Sequence, residues 1–132
     1  MTQDRFDELR ALVADSPFYR WSGMTLAEVD GGSVTVALDL ADHHLNLQGL
    51  AHGGVIATLA DAAMGLSLRS ALEPGRRHVS LEIGVHYLRP VTRAVFARWG
   101  GRCGSGVRSP TPRPTCWMRT TGCSPVLTAP TA

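Results

Sequence analysis

The residues best suited to chemistry lie between Asn46 and Asp61. The segment reads Asn46-Leu47-Gln48-Gly49-Leu50-Ala51-His52-Gly53-Gly54, with Asp61 eight residues after Gly53. The first turn of a helix has N–H groups without acceptors and a partial positive charge. Glycine at positions 53 and 54 lets a ligand approach that backbone closely. Such a site can hold an oxyanion. Asp61 is the only charged residue between His52 and Arg69, and it sits between Ala60 and Ala62. A carboxylate in such a setting is poorly solvated, which favours work as a base. Eight residues of helix span roughly 12 Å, too far for Gly53 and Asp61 of one chain to serve one small carbonyl. A two-fold dimer would bring one chain's Gly53 to the other's Asp61.

Each residue alone has a plainer reading. Gly-Gly before a helix is most often a tight turn. A single Asp in an apolar helix can be a carboxylate bonded to backbone or to a serine. His52 can simply bond the loop. His43 and His44 could join His52 and Asp61 around a metal, but their spacing fits no zinc motif, and no metal is expected. The combination carries the functional reading.

The flanking pattern says what must hold these residues. Phe6, Leu9, Leu12 and Val13 recur at helical spacing, which predicts a short amphipathic helix over 4–14, ended by Ser16-Pro17. Thr25–Val29 and Ser33–Leu40 flank Asp30-Gly31-Gly32, a hairpin with a glycine turn. Residues 43–52 read as a loop. Residues 53–72 are almost wholly apolar or small, so this helix is expected to be buried on nearly all sides. His78–Leu88 alternates through Val79, Leu81, Ile83, Val85 and Tyr87, a strand closed by Pro90; residues 94–99 begin another. A helix without a polar face among alternating strands predicts an α+β fold with a curved antiparallel sheet wrapped around it. No βαβ repeat is present, which argues against a doubly wound sheet.

Composition sets the outer bounds. The chain has 132 residues, enough for one domain with its own core. Its first 20 residues lack an apolar signal core, and no apolar run is long enough to span a bilayer. A cytoplasmic protein is expected, with no membrane partner. Net charge of +2 is too small to argue for nucleic acid. Residues 1–99 hold all 11 acidic groups, whereas residues 100–132 hold none and contain all 3 Cys. The Cys spacings fit no zinc or redox pattern.

The pattern N-x-x-G-x-x-H-G-G followed by Asp61, and the strand HVSLEIGVHYLRPV after it, resemble the hotdog-fold thioesterases of the phenylacetate-degradation (PaaI) type. The likeness runs from about Phe18 to Trp99 and includes the lead-in SPFYRWSGM. It implies a hotdog domain over 1–99 that forms a homodimer or homotetramer and hydrolyses an acyl-CoA, aryl or medium-chain, to free acid and CoA. In that likeness Asp61 is the nucleophile or general base. The Gly53 amide of the facing subunit polarises the thioester carbonyl. Asn46 and His52 orient the loop and support the carbonyl or the attacking water, and Ser80 helps place that water. Gly49, Gly54 and Arg89 fall on the substrate side. The resemblance implies no cofactor. The alternative is a hotdog that binds acyl-CoA without turning it over.

The likeness stops after Trp99. Residues 100–132 show no alternation, and Pro110, Pro112 and Pro114 remove ladder donors. An irregular tail is expected, with the last strands of the fold missing or replaced. Reading GC-rich codons for Pro114–Ser124 from the third base of the Pro114 codon gives Asp-Val-Leu-Asp-Glu-Asp-Asp-Arg-Leu-Leu-Ala. This resembles the family's last strand and implies a frameshift near residues 98–102.

Overall fold

The computed structural model describes residues 3–30, 33–72, 77–80, 83–92, 95–100, 105–108 and 126–128. Helix α1, Gln3–Asp15, buries Leu9 and Val13, with Phe6 packed beside them. Leu12, on the same predicted face, is instead exposed. Helix α1 ends before Ser16-Pro17, as expected, but the same pair opens a second helix, α2, Pro17–Ser22. Proline suits a first helical position because the N–H it lacks would have had no acceptor there. Gly23 closes α2 with φ of 71°, a left-handed cap.

Strands β1, Thr25–Asp30, and β2, Ser33–Leu38, form the expected antiparallel hairpin, with an irregularity between Leu26 and Glu28. Val34, Val36 and Leu38 point inward in strict alternation. A 3-10 turn at Asp42–His44 begins the loop, and helix α3, Gly53–Ala71, follows it. Beyond α3 come β3, Arg77–Val79, and β4, Val95–Gly100. Strand β4 pairs antiparallel with β2, and β5, Ser105–Arg108, pairs with β4. The resulting sheet has the order β1-β2-β4-β5. Helix α3 packs on β2 and β4, and Ile56, Leu59, Ala60 and Ala63 enter one core with Val34, Val36 and Leu38.

Helix α3 is not covered all round. Gly54 is exposed, and Thr58, Asp61, Gly65, Leu68 and Arg69 are half-buried. At helical spacing these positions form one stripe. Its C-terminal end is tied to α1: Arg5 donates to the carbonyls of Arg69 and Leu72, at 3.1 and 3.0 Å. A guanidinium there supplements the last carbonyls of the helix, one of which, that of Arg69, also accepts from the Leu72 N–H at 3.4 Å, and meets the negative end of the helix dipole.

Two further expectations are corrected. The strand expected over 78–88 is a ladder only at β3; described residues 83–88 join no sheet. A strand needs a partner's backbone, and among the described residues of this stretch 77–79 have one, in β6, Val126–Thr128. The tail is also not irregular throughout, since β5 and β6 both lie in it. Each falls clear of the triplet Pro110, Pro112 and Pro114, where ladder donors are available. The other tail residues, with all three cysteines, lie outside the described set.

Candidate active site

The loop before α3 is ordered by its own side chains. Asn46 Oδ1 accepts from the N–H of Gln48 at 2.9 Å and of Leu50 at 3.1 Å. Gly49 sits in this turn with φ of 72°, a conformation glycine adopts without strain. With its carbonyl oxygen so engaged, Asn46 has its amide NH₂ left to offer a ligand. Buried His44 accepts from the Ala41 N–H at Nδ1, 2.9 Å, so Nε2 donates to the Ser22 carbonyl at 3.0 Å. His44 is thereby a structural tie between the loop and α2. His43 is exposed, its ring 3.9 Å from that of His44. Among the described residues no cluster of three His, Cys, Asp or Glu could hold a metal ion.

His52 caps α3. Its Nδ1 accepts from the Gly54 N–H at 3.0 Å, satisfying one of the first-turn donors. The neutral ring then carries its proton on Nε2. The Gly53 N–H meets no acceptor among the described residues. Tyr87, which the sequence pattern marked only as a strand residue, donates from its hydroxyl to the Gly53 carbonyl at 2.8 Å.

Further along α3, Ser80 Oγ donates to Asp61 Oδ1 at 2.6 Å. Both line a pocket of about 370 Å³ with Tyr19, Gly65, Arg69 and His78. Burial raises the pKa of the Tyr19 hydroxyl above its usual value, and the Asp61 carboxylate adds to the rise. Burial lowers the pKa of His78, and Arg69 lowers it further, while Asp61 opposes both. His78 Nδ1 is buried and has no hydrogen-bond partner among the described residues. Sequence reasoning missed Tyr19 and His78 as neighbours of Asp61; one lies in the lead-in SPFYRWSGM, the other opens the strand HVSLEIGVHYLRPV.

Within one chain the predicted residues therefore form two groups. Asn46, Gly49, His52, Gly53 and Gly54 lie in the loop and first turn of α3. Asp61 and Ser80 lie at its middle, and no hydrogen bond links the two groups among the described residues. Arg89 is exposed, beyond Tyr87.

A central helix packed against an antiparallel sheet, with a glycine-led first turn, defines a hotdog fold. Residues 48–98 match the model of the thioesterase superfamily. Human acyl-coenzyme A thioesterase 13 is 31% identical over 91 residues, a match covering 68% of this chain and 64% of that protein. The chain thus spans less than two thirds of that relative's length. The E. coli PaaI protein from the phenylacetic acid degradation operon has the same fold, with a TM-score of 0.79 and 18% identity over 96% of this chain and 95% of that one. A variant of the phenylacetic acid degradation protein PaaI from Thermus thermophilus has a TM-score of 0.63 and 26% identity over 80% of this chain and 95% of that one.

Proposed function

We propose that this protein is an acyl-CoA thioesterase acting as a homodimer or homotetramer. The Ser80–Asp61 hydrogen bond beside an open pocket carries the reading, and the family match and the relatives' names support it. The thioester carbonyl of an aryl or medium-chain acyl-CoA accepts from the Gly53 N–H of the facing subunit. Asp61 takes a proton from water as the water oxygen bonds to the carbonyl carbon. The C–S bond then breaks, and the CoA thiolate picks up a proton. Ser80, bonded to the carboxylate, places the water, while Asn46 and His52 support the carbonyl side. A positioned donor of the Gly53 kind is worth about 3 kcal/mol of barrier. Direct attack by Asp61 on the carbonyl, which breaks the C–S bond, releases the CoA thiolate to be protonated and leaves an anhydride that water then opens, uses the same residues.

Thiol release from a panel of acyl-CoAs, captured by a thiol dye, tests this. Turnover of at least one aryl or medium-chain thioester is expected. Saturable binding of those acyl-CoAs without thiol release would overturn it in favour of a binding protein.

A further inference from the structure

The Gly53–Gly54 peptide is the most conformationally permissive link at the start of α3. Yet it is held at both ends. Its N–H, on Gly54, donates to His52 Nδ1 at 3.0 Å, and its C=O, on Gly53, accepts from the Tyr87 hydroxyl at 2.8 Å. The Tyr87 ring also lies close over Gly53: a Cβ built there would stand 3.3 Å from Cζ and 3.4 Å from the hydroxyl oxygen. A side chain at 53 would press on Tyr87, 34 residues away in sequence, and displace its ring by a few tenths of an ångström.

We propose that Tyr87 is a positioning residue which, with His52, clamps the Gly53–Gly54 peptide and so aims the neighbouring Gly53 N–H. His52 consumes the Gly54 donor, which leaves the Gly53 N–H as the first free donor of the helix. Tyr87 holds the carbonyl of the Gly53–Gly54 peptide, while the preceding His52–Gly53 peptide, which carries the Gly53 N–H, is held through the His52 carbonyl by the N–H groups of Val55 at 3.0 Å and Ile56 at 3.2 Å; with both flanking peptides held, the direction of the Gly53 N–H is set. A donor fixed before substrate arrives needs no reorganisation as charge develops on the thioester oxygen. This inference deepens the thioesterase reading and rests on it for its effect on turnover, but the clamp itself is a property of the free protein.

Two measurements on the wild type and Tyr87→Phe test it. The first is the ¹⁵N order parameter of Gly53 and Gly54. In Tyr87→Phe, which keeps the ring and loses only the hydroxyl, both fall towards the flexible range while that of Ala60 stays put. Unchanged values at Gly53 and Gly54 overturn the clamp whatever the turnover. The second is acyl-CoA turnover. A fall in kcat of about tenfold with KM within about twofold is expected, the mark of an interaction that matters in the transition state. Loosened glycines with unchanged kcat overturn the role in turnover. Asp61→Asn is measured alongside. If it retains full activity, the thioesterase site as assigned has failed, and the order parameters still decide the clamp.

Discussion

Ser80 and Asp61 meet across 2.6 Å although 19 residues separate them, one at the end of β3 and the other at the middle of α3. The hydroxyl orients one carboxylate oxygen and leaves the other, Oδ2, available for water.

Asp61→Asn keeps the shape and removes the proposed base. A loss in kcat of at least about 10²-fold is expected, the low end for a positioned acid or base, with little change in KM. Steady-state thiol release checks it, and near-normal turnover would refute the assignment.

Gly53 and Asp61 are proposed to act across the dimer. Gly53→Pro deletes the N–H at a helix position that tolerates proline. Mixing inactive Gly53→Pro subunits with inactive Asp61→Asn subunits is expected to restore part of the activity, because one site of each mixed dimer keeps both groups. A mixture that exchanges subunits and stays inactive contradicts a shared site.

Tyr19 reports on the Asp61 charge. The chain has 2 Tyr, so in Tyr87→Phe the phenolate absorbance belongs to Tyr19 alone. Its midpoint is expected above 10.0, and adding Asp61→Asn should lower it, because the carboxylate contributes to the rise. Equal midpoints with and without Asp61 would show that the two groups do not sense each other.

His78 makes stability pH-dependent. Its pKa lies below 6.5 in the folded chain. Well above that value both states are neutral and the residue has no effect. As pH falls through the unfolded value the unfolded chain binds the proton first, and stability drops until the folded form is protonated too. Between about pH 7.5 and pH 5, the urea midpoint should therefore fall more for the wild type than for His78→Gln. Equal falls would contradict the assignment.

The sequence made some parts of this fold legible and left others hidden for identifiable reasons. Val34, Val36 and Leu38 alternate, and the hairpin follows them. The run from Gly53 onward has a helix's length and lacks a strand's turn signals, and α3 ends within one residue of the expected boundary. By contrast, Pro17 carries opposite meanings at a helix's end and at its start, and α2 was hidden behind the first. Alternation over 78–88 reports two faces but not a partner, and pairing is what makes a ladder. Asn46, His52, Gly53 and Asp61 stand out by type and spacing. Tyr19, His78 and Tyr87 do not, because each reaches its neighbours only through folding and none lies at a periodic distance from them.

Arg5 gives the amino-terminal helix a meaning that its charged, mostly exposed surface hides. By holding the carbonyls of Arg69 and Leu72, it makes α1 a brace on the far end of the helix that carries Asp61. Proteolytic trimming that removed the first turn of α1 would therefore be felt in the wall of the pocket, which Arg69 lines. A segment that looks expendable in the sequence is mechanically upstream of the candidate site.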